Sequence, residues 1–185
     1  MEQIALYQEN GANVALGNQY VAEVKVLKSF WLFQLSRVWG NLPVPPTSSP
    51  SDLFAVEISS KDEIMQMIST WMDEAIPVLP AVRPNERTDL PGGVTKYTAL
   101  AMKALANLEL KNYQEVATAT GEIISSGKFV LESDFYELFK INGKLNNENI
   151  WEFQYSDLGQ ATGDNYSYLY AFFGPQGWTP AVAGS

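Results

Sequence analysis

The sequence contains neither histidine nor cysteine. Without imidazole and thiol groups, these residues cannot form a Ser-His-Asp triad, a Cys-His nucleophile, a thiolate redox centre or a zinc site built on nitrogen or sulfur. A chain of 185 residues can bury a core of its own without disulfide bonds, so we expect one globular domain.

Positive charge is scarce. Only 12 lysine and arginine residues stand against 21 aspartate and glutamate residues, which gives a net charge of −9. Nucleic acid is not an expected partner, because binding to phosphate backbones needs clustered basic side chains. Lys144 is the last basic residue, so the residues after it cannot bind a phosphate or carboxylate through a side-chain cation.

Long apolar runs are also missing. No stretch approaches the roughly 18 consecutive apolar residues of a membrane-spanning helix. Glu2 and Glu9 lie where a secretory signal would have a basic region followed by an apolar run. We therefore expect neither a spanning helix nor a signal peptide within these residues.

Helical spacing of apolar residues is the main pattern that is present. It predicts a long first helix from about residue 13 to 37, ended by Gly40 and Pro43. The face expected to be buried consists of Tyr20, Val24, Leu27, Trp31, Leu35 and Val38. The stretch 41–60 is rich in proline at its start and predicts a connecting loop with a short strand.

Three further helices follow. Ser60 and Glu63 form the S-x-x-E capping box of a second helix that reaches Pro80. A third helix starts after residue 93, and a fourth starts at Tyr113 and ends at Gly127, which suits a left-handed C-terminal cap. The turn between these two helices is very short, so they are expected to pack antiparallel.

The pattern changes after the fourth helix. Residues 134–139 predict a short aromatic-rich turn of helix. Residues 150–155 alternate and predict a strand with Trp151, Phe153 and Tyr155 on one face, where core packing is the favoured role. The residues beyond show no periodicity, although aromatic side chains are densest between Trp151 and Trp178.

Several motifs together carry a resemblance to a known family. The run A-E-V-K-V-L-K at 22–28, continuing to R-V-W-G-N-L-P at 37–43, resembles a SusD/RagB signature in which an A-E-x-x-F-L-R helix ends in R-L-[YF]-G-D-[VI]-P. Further landmarks follow in order: G-V-T-K at 93–96, Tyr113, I-I-S-S-G-K-F at 123–129, Asp134-Phe135, Leu138-Phe139 and N-E-N-I-W-E-F at 147–153. On these motifs, residues 22–156 resemble the nutrient-binding outer-membrane lipoproteins of that family.

The resemblance implies a mainly α fold with tetratricopeptide-like helix pairs, a short strand and an irregular aromatic-rich C-terminal region. Residues 94–126 match one such pair. We expect a single, partial SusD-like domain over 1–185, with a helical scaffold at 13–139 and a strand and loop region at 140–185. The chain departs from the family pattern at Asn41, Lys25 and Val26 and has no lipidated cysteine. We therefore expect an internal or trimmed piece that lacks both the anchor and the C-terminal half.

The resemblance also implies binding without catalysis. Family members capture glycans or other nutrients at the cell surface of the outer membrane and pass them to a SusC-like TonB-dependent transporter. Membrane attachment would come only through a lipid anchor that these residues lack. No catalytic residue, cofactor or metal site is expected; Asp157 and Asp164 show no EF-hand pattern.

The expected ligand surface lies within 156–178. A neutral oligosaccharide needs aromatic rings for its CH-rich faces and amides or carboxylates for its hydroxyl groups, and this stretch carries both without a cation. The predicted ligand-binding residues are Trp178, Tyr166, Tyr168, Tyr170, Asn165, Asp164 and Gln176.

Two other function classes stay open at this point. A helical-repeat scaffold could bind peptides in a concave groove. A glycoside hydrolase needs two carboxylates, and Glu148 and Glu152 would project together only from a helix, whereas the local pattern predicts a strand. Exposed rings in the aromatic segment would favour ligand capture, and buried rings would favour a scaffold.

Overall fold

The computed structural model describes residues 1–47 and 49–154 of the chain. The chain divides into a compact unit, Met1–Trp151, and a second unit, Glu152–Ser185, of which 152–154 are described. The expectation that all 185 residues form one domain stays a prediction.

The compact unit is mainly helical, which confirms the predicted fold class. Its helices are α1 (Glu2–Glu9), α2 (Val14–Trp39), α3 (Pro50–Ala55), α4 (Lys61–Ala75), α5 (Lys96–Glu109) and α6 (Tyr113–Ser125). Two short strands, β1 (Leu42–Pro43) and β2 (Ile58–Ser59), pair antiparallel with Leu42 opposite Ser59. Short 3₁₀ turns span Pro84–Glu86, Phe135–Phe139 and Ile141–Gly143.

Helix α2 is the longest element, and its predicted position is confirmed to within two residues. The side-chain oxygen of Asn13 accepts a hydrogen bond from the backbone N–H of Leu16 at 3.0 Å and caps its start. Gly40 ends it with a φ of 76°, which is a left-handed conformation that glycine adopts at no steric cost. Its 26 residues span about 39 Å.

The prediction of which α2 face is buried is wrong. The outer face of α2, as we call the predicted stripe, is exposed throughout and consists of Tyr20, Val24, Leu27, Trp31, Leu35 and Val38. The inner face of α2 is buried and includes Ala22, Val26, Ser29, Leu32, Phe33 and Ser36. Helices α4 and α5 pack against α2, and the small inner residues allow close approach. Leu27 is 38% exposed and therefore is not a core residue.

Helix α4 supplies the centre of the core. Its capping box is confirmed, because the Glu63 carboxylate accepts from the Ser60 backbone N–H at 2.7 Å while the Ser60 hydroxyl accepts from the Glu63 N–H. Ile64, Ile68 and Met72 are fully buried. The helix ends at Ala75, and a turn covers the remaining residues to the predicted end at Pro80.

Helices α5 and α6 form the predicted tetratricopeptide-like pair. The Thr95 hydroxyl caps α5, and Gly127 follows α6 with a φ of 63°, as expected for a left-handed cap. Tyr97 and Leu100 of α5 are buried with Ile123 of α6 in one cluster. This cluster holds the two helices against each other.

Two short helices, α1 and α3, were not predicted, and the strand predicted at 150–155 is not found among the described residues. Helix α3 begins at Pro50, where proline is favoured because the first helical N–H has no partner within the helix. Residues 151–154 belong to no strand, and the described part of the sheet contains only β1 and β2. The helical turn predicted at 134–139 is confirmed as a 3₁₀ turn capped by Asp134.

Candidate functional site

The predicted ligand surface lies outside the described residues. This holds for all seven predicted ligand-binding residues: Trp178, Tyr166, Tyr168, Tyr170, Asn165, Asp164 and Gln176. Their roles stay predictions, and so does the core role of Tyr155.

Ile150 and Trp151, shortly before the predicted ligand surface in the sequence, contact α5 and α2. The Trp151 ring meets the Phe30 ring edge to face, with 5.3 Å between the ring centroids and an interplanar angle of 84°. The Thr98 hydroxyl donates to the carbonyl oxygen of Ile150 at 3.5 Å. Trp151 thus packs against the main hydrophobic cluster, as expected, whereas Phe153 is 45% exposed.

The loop between α6 and Trp151 is tied down by polar contacts. The Val130 N–H donates to the Asn147 carbonyl oxygen at 3.1 Å, and the Glu132 N–H donates to the Glu148 carboxylate at 2.8 Å. The Arg83 guanidinium donates to the side chain of Asn147. Glu148, one of the two carboxylates considered for hydrolysis, therefore serves to hold backbone.

Exposed aromatic rings also occur in the described part of the chain. Phe135, Tyr136 and Phe139 are each about two-thirds exposed or more on the 3₁₀ turn. The Phe135 and Phe139 rings meet edge to face at 5.2 Å, and the Lys140 ammonium lies 4.8 Å from the Tyr136 centroid. Tyr7 of α1 and Tyr20 of α2 are 67% and 46% exposed.

Two adjoining cavities lie at the start of α2, the larger one beside Val78 in the turn after α4 and the smaller one beside α1. One, of about 470 Å³, is lined by three amides, Asn13, Asn18 and Gln19, with aliphatic side chains beside them. The other, of about 230 Å³, is almost wholly apolar and includes Tyr7 and Tyr20. The cavities share Asn13 and Leu16, and we call them together the α1–α2 groove.

A buried arginine is linked to this groove through Glu23 and Gln19. The Arg87 side chain is 1% exposed, and its guanidinium donates to the Glu23 carboxylate at 2.7 Å and to the Val94 carbonyl oxygen at 2.6 Å. It also binds Asp89, and this hydrogen bond lowers the pKa of Asp89 to about 2. The Gln19 amide donates to Glu23 at 3.0 Å, so the ion pair orients a groove residue.

Neither a metal site nor a membrane span is found among the residues that the structure describes. No group of three or more acidic side chains there could hold a metal ion. No helix there is long and apolar enough to cross a membrane.

Comparison with known proteins gives consistent matches. No family model matches the chain. It is similar to SusD-like protein P25 of Formosa agariphila, with 25% identity over 171 residues, 88% of this chain and 31% of that protein. The chain therefore spans less than a third of the length of that curated relative.

Solved structures share the fold. A SusD-like carbohydrate binding protein from Bacteroides fragilis matches with a TM-score of 0.70 and 24% identity over 78% of this chain and 28% of that one. Surface glycan-binding protein A from Bacteroides thetaiotaomicron, in complex with laminarihexaose, matches with a TM-score of 0.62 and 25% identity over 78% of this chain and 30% of that one.

Proposed function

We propose that this chain, which is similar to SusD-like proteins in sequence and fold, is part of a non-catalytic SusD/RagB-type protein that binds a nutrient glycan at the outer-membrane surface and delivers it to a SusC-like TonB-dependent transporter. The main support is the shared helical fold with a glycan-binding protein that holds laminarihexaose. A lipid anchor on the whole protein would keep it at the membrane.

The proposed ligand surface is the aromatic segment. Its rings can lie against the CH-rich faces of sugar units, while Asn165, Asp164 and Gln176 exchange hydrogen bonds with hydroxyl groups. No lysine or arginine follows Lys144. A neutral oligosaccharide therefore fits this composition better than an anionic one.

Substitution of one tryptophan tests the proposal. We expect Trp178→Ala to weaken oligosaccharide binding by about 1–3 kcal/mol, because an aromatic anchor contributes most of its energy when a ligand covers it. The measurement is calorimetry with the strongest binder from an array of neutral oligosaccharides that includes laminarihexaose. The melting temperature should hardly change.

Trp39→Ala is the matched control, because Trp39 is 68% exposed at the end of α2 and lies outside the proposed surface. It should leave the affinity unchanged. A large loss of melting temperature with unchanged affinity for Trp178→Ala would place Trp178 in the core. Binding of peptides in place of glycans would favour the helical-repeat scaffold.

A further inference from the structure

We propose that the α1–α2 groove is a second contact site for neutral oligosaccharide, formed by residues other than those of the aromatic segment. The inference rests on the proposed function for the class of ligand. It uses only side chains of the described part, and none of the seven residues predicted earlier belongs to the groove.

Three amides of the groove are held in fixed orientations by the protein. The Asn13 oxygen accepts from the Leu16 N–H at 3.0 Å, and the Asn18 oxygen accepts from the Gln8 amide at 3.1 Å. The Gln19 nitrogen donates to Glu23 at 3.0 Å and to Asp89 at 3.4 Å. Each amide thus uses one of its two polar ends within the fold.

The other ends remain for a ligand. Among the described residues, no hydrogen bond is formed by the side-chain nitrogens of Asn13 and Asn18 or by the side-chain oxygen of Gln19. Two NH₂ groups and one amide oxygen are therefore available on residues that line the larger cavity. Sugar hydroxyl groups both donate and accept, so a mixed set of oriented amides suits them.

The rest of the groove suits the apolar side of a sugar ring. Tyr7 and Tyr20 line the adjoining cavity together with Leu16, and both rings are substantially exposed. A tyrosine ring offers a flat apolar face beside a hydroxyl group. Cavities of about 470 and 230 Å³ together reach the size range of small-molecule sites.

Charge selects for a neutral ligand. No charged side chain is among the described residues that line either cavity. Glu23 and Asp89, which contact Gln19, are paired with the buried Arg87 guanidinium. Glu74, which lines an adjoining pocket with Asn18, is paired with Lys25. A charged ligand would therefore lose its hydration in the groove without gaining an ion pair.

Gly17 is required for this arrangement. A Cβ atom added at Gly17 would collide with the Gln8 side chain, which crosses α2 there to hold Asn18 and the Val14 carbonyl oxygen. Gly17→Ala should displace Gln8 and release Asn18. Gly17 is a positioning residue, and its effect passes through the Asn18 amide.

The test compares groove variants with variants elsewhere in the 185-residue chain. The probe is the strongest binder from the array of neutral oligosaccharides, with laminarihexaose included. We expect Tyr20→Ala and Asn18→Ala each to weaken binding about 3- to 10-fold, a typical loss for one contact, without lowering the melting temperature. Tyr113→Ala, which removes an exposed tyrosine from α6, should change nothing.

Nuclear magnetic resonance supplies a second readout. The side-chain NH₂ signals of Asn13 and Asn18 should shift on addition of the oligosaccharide, and Gly17→Ala should reduce the Asn18 shift. The groove proposal is overturned if both groove variants bind with wild-type affinity, the amide signals do not shift and Trp178→Ala binds more weakly. The proposed function would then still stand. If no oligosaccharide on the array binds the wild-type chain, both proposals fail.

Discussion

Both faces of α2 carry apolar side chains, yet within the described part of the chain only one face is buried. The inner face combines Val26, Leu32 and Phe33 with small residues, and all of these are buried. The outer face carries larger side chains, including Trp31 at 56% exposure and Val38 at 71%. The difference shows that side-chain size does not decide burial, because the face that α4 and α5 contact is the covered one.

Removing the Arg87 guanidinium, which pairs with the buried Glu23 of α2, should have the largest effect on the free energy of unfolding. Arg87→Met leaves the Glu23 carboxylate, which is 12% exposed, without its cation. The loss of one partner from a buried ion pair costs about 3–5 kcal/mol. Urea unfolding followed by circular dichroism measures the change in the free energy of unfolding.

The double variant Arg87→Met with Glu23→Gln controls for this loss. It should recover part of the stability, since no unpaired carboxylate then remains. A loss below about 1 kcal/mol for Arg87→Met alone would show that the pair behaves like a surface ion pair and that the inner face does not depend on it.

Two leucines of α2 give a matched comparison of the faces. Leu32 is 8% exposed and Leu35 is 38% exposed. Leu32→Ala should reduce the free energy of unfolding by about 2–5 kcal/mol, because a cavity remains in the core. Leu35→Ala and Leu27→Ala should each cost about 1 kcal/mol or less, since water fills the space.

Thermal and urea unfolding of the three single variants measure these costs side by side. Equal losses at Leu32 and Leu35 would mean that the outer face is buried in solution, for example by association of the chain. A dilution series would then separate association from burial within one molecule.

The smallest effect is expected from the ion pair between Arg87 and the exposed Asp89. The pKa of Asp89 lies at about 2, below its ordinary value of 3.8, because Arg87 hydrogen-bonds its carboxylate. Since the folded-state pKa is the lower one, this stabilisation is complete above about pH 4 and is lost as the pH falls towards 2. Asp89 is 55% exposed, so water screens much of the interaction.

Asp89→Asn should therefore lose less stability than the wild type between pH 5 and pH 2. Glu57→Gln, which changes an exposed carboxylate outside this network, serves as the control. Identical pH dependence in the wild type and Asp89→Asn would contradict a stabilising role for the Asp89 contact.

The features that could be predicted from the sequence are those with local causes. Ser60 and Glu63 cap α4, and Gly127 ends α6, through hydrogen bonds and dihedral angles within a few residues. The order of family motifs likewise needs no three-dimensional information. The resemblance it implies agrees with the fold of solved SusD-like structures.

The strand prediction at 150–155 failed for a non-local reason. Alternation made Trp151 and Phe153 suitable for one face of a strand, but residues 151–154 are assigned to no strand, and Trp151 packs against Phe30 of α2 instead. The α1–α2 groove was missed because its amides carry no sequence motif. Asn18 is held by Gln8 of another helix, and Gln19 is held by Glu23, which pairs with Arg87 from a distant part of the chain.

The sequence by itself determined where the main helices run, how they are capped and which family they resemble, because these depend on side chains three or four positions apart. Only the tertiary structure decided which face of α2 is covered and how the Asn18 amide is oriented. Those outcomes depend on contacts such as Arg87 with Glu23, which join residues 64 positions apart. Helical periodicity shows that a face can be buried, but the neighbouring helices determine whether it is.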